Sequence, residues 1–190
     1  WFVTFDTYLL QAGMTSAETH LRRARALKGL KRHPEAIDAY YTVYQNVGMT
    51  PLQQMEFGDY LRSLQLQPAE LPEANLIEQL YQQALTQAKT GAEAGAIYLR
   101  LARLYSTYPD SASVHQSVTN YFLNAMGTLP EAEERMVVRD ELMDYIKSRP
   151  GQATDAIFRN LIAQAPSDFE LQGEYAEYLS WQPERRKEAI

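Results

Sequence analysis

The tripeptide Gly13-Met14-Thr15 returns as Gly48-Met49-Thr50, 35 residues further along the chain. Between the two copies lie two helical patterns in succession, LRRARALKGL and PEAIDAYYTVYQNV. Recurrence at a fixed period of this length is the sequence signature of stacked supersecondary units. A helical hairpin alone cannot bury its apolar side, so each unit must pack against its neighbours. The chain is therefore expected to fold as a series of helical hairpins.

The same plan continues to the C-terminus, with proline, glycine, serine or threonine at the turns, as in His33-Pro34. Thr15 or Ser16 is predicted to cap one helix, and Ser111 or Ser113 another. We predict an all-α chain of about eleven helices in a single array. Its parts are a half repeat at 1–12, hairpins at 13–48, 49–91, 92–128 and 129–166, and a truncated repeat at 167–190. The alternative is an irregular all-helical bundle.

Apolar residues at helical spacing predict which helix faces are buried. On the helix that follows Gly13-Met14-Thr15, the predicted face consists of Leu21, Ala24 and Leu27. On the helix expected to begin at Pro51, the predicted face consists of Leu52, Met55, Gly58, Leu61 and Leu64. A longer connection follows, and the next helix is expected from about Pro72 to Lys89. Small residues at Ala24, Gly58 and Ala102 are predicted to let neighbouring helices approach closely, at the short end of a range of about 8 to 10 Å.

Several stretches resemble the tetratricopeptide repeat (TPR) family. Ala36, Tyr40 and Val43, followed by a turn at Gly48, resemble the second helix of such a repeat, and Leu101-Ala102 with Tyr105 is similar to its first helix. The final stretch, EYAEYLSWQPERRKEAI, looks like the passage from a first helix into a second. The resemblance implies a right-handed superhelical solenoid whose first helices line a concave surface for partner proteins.

A narrower resemblance comes from the Trp-containing turns and glutamine-rich helices. These are similar to TPR segments of bacterial envelope proteins that assist exopolysaccharide export, including the Pel, cellulose and poly-N-acetylglucosamine systems. That resemblance implies a periplasmic protein-interaction scaffold that recruits or assembles partners. A cytoplasmic cochaperone or assembly factor that binds an acidic peptide is the alternative. The family's asparagine clamp for a C-terminal carboxylate is not matched, because the asparagines here fall on or beside second helices.

Composition excludes several classes of function. The net charge of −6 and the pI near 5.1 argue against nucleic acid, which needs a cationic surface. The chain has no cysteine, so it has neither disulfides nor thiolate chemistry. No apolar run approaches the roughly 20 residues of a membrane-spanning helix. Because the sequence begins at Trp1, we expect it to be a segment of a longer protein.

The sequence offers no catalytic or metal-binding constellation. His20, His33 and His115 share no metal-ligand spacing with one another or with a pair of carboxylates. The glutamates that follow Pro130 fall in a first helical turn, where negative charge complements the helix dipole. We therefore expect no enzyme activity, no metal and no cofactor.

Charged side chains on the first helices are the remaining candidate site. Their predicted members are Arg22, Arg25 and Lys28 on one helix, Glu56, Asp59 and Arg62 on the next, and Arg100 and Arg103 on the third. Arginine forms paired hydrogen bonds to carboxylate, so this groove is predicted to bind an acidic segment of a partner protein. The alternative is a solvated surface with i,i+4 ion pairs inside each helix. Polysaccharide contact through the thirteen tyrosines is a third interpretation.

Overall fold

The computed structural model describes residues 16–66, 70–73, 75–148, 152–164, 166 and 169–181. Every regular element within those ranges is an α-helix, which confirms the all-α class. The helices are α1 (Ala17–Gly29), α2 (His33–Asn46), α3 (Pro51–Ser63), α4 (Leu76–Gln87), α5 (Gly91–Tyr105), α6 (Ala112–Thr128), α7 (Ala132–Ser148), α8 (Gln152–Gln164) and α9 (Phe169–Ser180).

The described ranges thus hold nine helices, where about eleven were expected for the whole chain. The two predicted end helices, at 1–12 and from Glu184 onward, lie outside the described residues. Thr15, which was predicted as one possible helix cap, also lies outside the described residues. The expected count is therefore replaced by nine for the part of the chain that the structure covers.

Polar side chains cap the N-termini of α1, α3, α5 and α6; at α5 the Thr90 hydroxyl accepts a hydrogen bond from the Glu93 backbone N–H at 3.1 Å. The Ser16 hydroxyl accepts a hydrogen bond from the Thr19 backbone N–H at 3.1 Å, and Ser111 caps α6 in the same way. Both caps were predicted. Thr50 begins α3 with a capping box, in which the Gln53 side chain in return accepts from the Thr50 N–H at 2.9 Å. Each cap satisfies a backbone donor that has no partner inside its helix.

Turn geometry shifts two of the predicted helix starts. Helix α2 begins at His33, and the turn before it is made by Lys31, which has a φ of 58°. Helix α4 begins at Leu76 rather than near Pro72, because the chain from 70 to 73 is irregular and closes with a hydrogen bond from the Leu76 N–H to the Glu73 carbonyl. The turn between α2 and α3 uses the left-handed conformation of Gly48, at φ 88°.

The chain divides into two compact units between Leu101 and Ala102, a point inside α5. In the N-terminal unit α1 packs on α2, α3 packs on α4, and α2 also contacts α3. In the C-terminal unit α6 packs on α7 and α8, and α8 packs on α9. Within each unit, contacts join helices that are close in sequence, as expected for hairpins.

The core of the N-terminal unit follows the α1 prediction closely. Leu21, Ala24 and Leu27 have no exposed surface, and they pack with the buried side of α2. Between α2 and α3, Tyr40 and Phe57 stack with ring centroids 5.0 Å apart and planes inclined by 15°. Burial of aromatic rings of this size contributes several kcal/mol, on the order of 1.5 to 3 for each ring.

The predicted face of α3 is only partly correct. Met55, Gly58 and Leu61 are buried, but the side chain of Leu52 is 72% exposed and Leu64 is half-buried. Gln54, Phe57 and Tyr60 are buried as well. The reason is that α3 contacts helices on two sides, α2 and α4, so it buries a wider surface than one apolar stripe.

Candidate protein-interaction surface

Helices α1 and α3 are joined by an ion pair between Arg25 and Glu56 that contains two hydrogen bonds. The Arg25 guanidinium donates from Nε to Glu56 Oε1 at 2.9 Å and from Nη2 to Glu56 Oε2 at 2.7 Å. Two parallel hydrogen bonds of this kind fix the direction of both side chains as well as their distance. The Tyr40 hydroxyl, on the buried side of α2, donates to the same Glu56 Oε1 at 2.7 Å.

These contacts shift the pKa values of Glu56 and Tyr40. The hydrogen bond from Arg25 holds the pKa of the Glu56 carboxyl below its ordinary value, against the opposing effect of partial burial. Burial, followed by the hydrogen bond to Glu56, raises the pKa of Tyr40. Glu56 is therefore an anion and Tyr40 a neutral donor at neutral pH.

An equivalent arrangement joins α3 to α5. Arg100 donates from Nε to both carboxylate oxygens of Asp59, at 3.0 and 2.9 Å, and its Nη2 lies 2.9 Å from Oδ2. The Tyr81 hydroxyl, on α4, donates to Asp59 Oδ1 at 2.8 Å. Burial, followed by the nearby Asp59 charge, raises the pKa of Tyr81. Each group thus consists of an arginine and a carboxylate on successive first helices, with a tyrosine from a second helix.

The C-terminal unit contains two further pairs between first helices. Arg103 on α5 donates to Glu141 on α7 through Nε at 2.8 Å and also through Nη2. Lys147 on α7 lies 3.2 Å from Glu174 on α9. The members of these pairs are 38 and 27 residues apart in sequence.

The paired residues occupy equivalent positions relative to the small residue of each first helix. Charged side chains stand two residues before and one residue after that position. They are Arg22 and Arg25 around Ala24, Glu56 and Asp59 around Gly58, and Arg100 and Arg103 around Ala102. In the pairs Arg25–Glu56 and Asp59–Arg100, the later position on one helix meets the earlier position on the next, and the charges are opposite. Arg103, at the later position of α5, meets Glu141, which stands two residues before Met143. The first helices α1, α3 and α5 therefore alternate between basic and acidic.

We define the first-helix face of the N-terminal unit by its charged residues: Glu18, Arg22, Arg25, Lys28, Glu56, Asp59, Arg62 and Arg100. Lys28 is exposed, and its Nζ lies 5.0 Å from the centroid of the Tyr60 ring, a cation–π contact. Arg62 is half-buried, and its charge lowers the pKa of Tyr81 in opposition to the larger effect of burial. Arg22 is exposed and interacts within the structure.

The first-helix face carries a surplus of positive charge. Its five cations stand against Glu56 and Asp59, together with Glu18, whose charge acts on Arg25. Five cations and three anions leave a surplus of two, whereas the whole chain has a net charge of −6. The ion pairs neutralise part of this surface, but they do not make it acidic.

Among the eight residues that the sequence selected, the structure brings Arg25 into contact with Glu56 and Asp59 into contact with Arg100. Seven of the eight lie on the first-helix face, and Arg103 belongs to the C-terminal unit. The alternative of i,i+4 pairs inside each helix does not describe Arg25, Arg100 and Arg103, whose carboxylate partners lie 31, 41 and 38 residues away. The sequence analysis missed Glu141, Glu174 and the tyrosine donors. Glu174 stands two residues before Ala176, the same spacing as Arg22 before Ala24, and this was the signal that could have found it; no small residue marks the position of Glu141.

Histidines serve as hydrogen-bonding groups at helix contacts. His33 Nδ1 lies 2.9 Å from the Tyr60 hydroxyl, and His115 Nδ1 lies 2.7 Å from the Tyr145 hydroxyl. Burial, with a smaller effect of Arg23, lowers the pKa of His20. Within the ranges that the structure describes, no group of three or more metal-binding side chains occurs. None of the described helices combines the length and the apolar character that a bilayer crossing requires.

Comparisons with known proteins do not place the chain in a family. No protein-family model matches it, and no curated protein is similar enough to be matched.

Proposed function

We propose that the chain is a non-catalytic protein-interaction scaffold, folded as a TPR-like solenoid, whose first-helix face binds an acidic segment of a partner. The observation that carries this proposal is the surplus of two positive charges on that face in a chain of net charge −6. An acidic segment would be attracted to this face and repelled by most of the remaining surface, which favours one orientation of encounter.

The solenoid part of the proposal rests on the equivalent ion pairs. Stacked repeats form the same contact, between the same two positions, from one pair of neighbouring units to the next. The pairs of Arg25 with Glu56 and of Asp59 with Arg100 follow this rule within the N-terminal unit. Arg103, at the later position of α5, likewise meets a carboxylate of the next first helix, Glu141. An irregular bundle gives no reason for such regularity.

Lys28 and Arg62 are the residues on which we expect partner binding to depend most. Arg25 and Arg100 already make paired hydrogen bonds to carboxylates, so a ligand would have to compete for them. Lys28 lies over the ring of Tyr60, and its charge also lowers the pKa of the Glu56 carboxyl. Its flexible side chain can turn toward an acidic side chain of a partner.

The cellular setting is proposed from the resemblance alone. A TPR-like segment of a periplasmic exopolysaccharide export protein would use this face to recruit a partner protein. A cytoplasmic cochaperone would use it in the same way. Stacking of polysaccharide on Tyr40, Tyr60 and Tyr81 is not favoured, because these three rings are almost fully buried.

A fluorescent hexaglutamate peptide tests the proposal by anisotropy. We expect saturable binding to the 190-residue chain that weakens as salt is raised. Lys28→Glu and Arg62→Glu, as single variants, should each weaken binding about tenfold, equivalent to about 1.4 kcal/mol. The matched control is Lys89→Glu, which makes the same charge change at an exposed position between α4 and α5.

Equal weakening by Lys89→Glu and by the two face variants would mean that only the net charge matters, and the face would be rejected. Binding of hexaglutamine as tight as that of hexaglutamate would reject the electrostatic mechanism. Circular dichroism of each variant confirms that helix content is unchanged.

A further inference from the structure

A cleft lies on the N-terminal unit apart from the charged groups of the first-helix face. It has a volume of about 560 Å³ and is bounded by the end of α2, the turn at 47–50, the first turns of α3 and the last turns of α4, with Ala17 at its edge. The volume is in the range of small-molecule and peptide sites. Its polar residues are mostly amides: Gln53, Gln54, Gln83 and Gln87, with Tyr44 and Thr50.

Gln54 has an amide oxygen without a partner. The residue is only 2% exposed, and its Nε2 donates to Gln83 Oε1 at 3.3 Å. Its Oε1 is buried and accepts no hydrogen bond from the part of the chain that the structure describes. A buried oxygen that accepts no hydrogen bond is unfavourable, and the large majority of buried polar atoms in proteins have a hydrogen-bond partner. The terminal torsion of a glutamine is soft, so this amide can turn toward a donor in the cleft.

The lining restricts the charge of any ligand. None of the ten lining residues carries a charge at neutral pH. Burial and the nearby Glu73 carboxylate raise the pKa of Tyr44, which keeps its hydroxyl neutral. A phosphate, a carboxylate or an ammonium group would lose its hydration here without gaining an opposite charge. The ligand must therefore be uncharged and must bring at least one hydrogen-bond donor.

The apolar part of the lining favours a peptide over a carbohydrate. Val47 borders the cleft and is 51% exposed, so an apolar side chain can cover it. Tyr44 supplies the single aromatic ring among the lining residues, so the cleft offers little aromatic surface for stacking of a sugar. An extended main chain alternates N–H donors with C=O acceptors, and a glutamine amide can pair with both.

We propose that this cleft binds an uncharged, extended peptide segment, whose main-chain N–H donates to Gln54 Oε1 and whose apolar side chain covers Val47. This site is separate from the binding of an acidic segment proposed above. A partner could use both surfaces, but either one can fail without the other.

Side-chain amide NMR of the isotope-labelled 190-residue chain tests the proposal. The probes are a blocked alanine–valine tetrapeptide and, separately, maltotetraose. We expect the tetrapeptide to shift the Gln54 and Gln83 amide signals saturably and maltotetraose to leave them unchanged. Gln54→Met keeps the length of the side chain and removes the amide, so it should weaken tetrapeptide binding about tenfold, the loss of one hydrogen bond.

Gln116→Met is the matched control, because Gln116 is an exposed glutamine on α6 and lies outside the cleft. It should bind the tetrapeptide as the wild type does. If Gln54→Met does not fold, Gln87→Met at the exposed edge of the cleft should show the loss instead. The proposal is overturned if the tetrapeptide moves neither signal, if maltotetraose moves them, or if the folded cleft variants bind as tightly as the wild type.

Discussion

Gly58 on α3 lies directly against the ring of Tyr81 on α4. A β-carbon built on Gly58 would stand 2.6 Å from Tyr81 Cε1 and 3.0 Å from Cζ, which is closer than real β-carbons approach other atoms. The ring cannot swing aside freely, because it is fully buried and its hydroxyl donates to Asp59 at 2.8 Å. The close approach of α3 and α4 therefore requires glycine at this position, although glycine inside a helix costs about 1 kcal/mol relative to alanine.

Gly58→Ala should destabilise the N-terminal unit. The clash with the Tyr81 ring is expected to cost about 1 to 3 kcal/mol, more than the gain in helix propensity. Thermal melting followed by circular dichroism measures the loss. Gly173→Ala is the control, since Gly173 is exposed inside α9 and a β-carbon there meets nothing within 4 Å. That change should stabilise by about 0.5 to 1 kcal/mol. A Gly58→Ala variant as stable as the wild type would show that the helices can separate.

The ion pair of Arg25 and Glu56 should couple the first two hairpins. Both side chains are partly exposed, at 45% and 26%, so screening by water keeps the expected coupling at about 0.5 to 1 kcal/mol. A double-mutant cycle of Arg25→Met and Glu56→Gln, measured by urea unfolding, gives this value. A second cycle on Arg32 and Glu35, an i,i+3 pair at the start of α2, should give a smaller coupling. Equal coupling free energies for the two pairs would mean that the contact between α1 and α3 adds no more stability than a local pair on one helix.

The pKa of Glu56 should respond to Arg25. In the wild type it is expected below the ordinary value of 4.5, and Arg25→Met should raise it. Because the pKa is lowered in the folded state, the stability contributed by Glu56 is complete above about pH 4.5 and is lost as pH falls through the folded-state pKa. Carbon-detected NMR titration of the Glu56 carboxyl reads the pKa directly.

Glu35 provides the internal reference for that titration. Its pKa is lowered by a hydrogen bond from Arg32, so Arg25→Met should leave it unchanged. If Glu35 and Glu56 shift together, the cause is a general change in the fold. If neither shifts, Arg25 does not determine the Glu56 pKa.

Ala102→Leu should overpack the interior. Ala102 is fully buried near the end of α5, and three added carbon atoms are expected to cost about 1 to 3 kcal/mol. Ala92→Leu places the same side chain at an exposed position in the first turn of α5 and should change stability little. The two melting temperatures are compared. A melting temperature of Ala102→Leu that matches the wild type would exclude a close helix contact at Ala102.

Local sequence signals predicted the features that local physics determines. The Ser16 and Ser111 caps and the buried stripe of α1 follow from side chains a few residues apart, so periodicity and hydrogen-bonding capacity are sufficient. The exposure of Leu52 was not predictable in this way. It depends on where α2 and α4 contact α3, and a single-stripe interpretation assigns α3 only one buried side.

The candidate surface was predicted in its residue types but not in its contacts. Arg25 and Arg100 were identified as groove residues, but their partners depend on which helices become neighbours. That information is spread over 31 and 41 residues of chain. The sequence pattern gave no sign that the hydroxyls of Tyr40 and Tyr81 reach carboxylates at the surface.

The alternation of basic and acidic first helices has a consequence for how the chain folds. Hairpins of similar shape can dock on the wrong neighbour, because their apolar surfaces are nearly interchangeable. If a hairpin were skipped, α1 would meet α5, and the arginines around Ala24 would face the arginines around Ala102. Arginines placed this close repel each other, so packing of α1 against α5 is unfavourable. Packing of α1 against α3, the native arrangement, is favoured by comparison. We expect the charges around Ala24, Gly58 and Ala102 to favour the native order of the first three hairpins during folding.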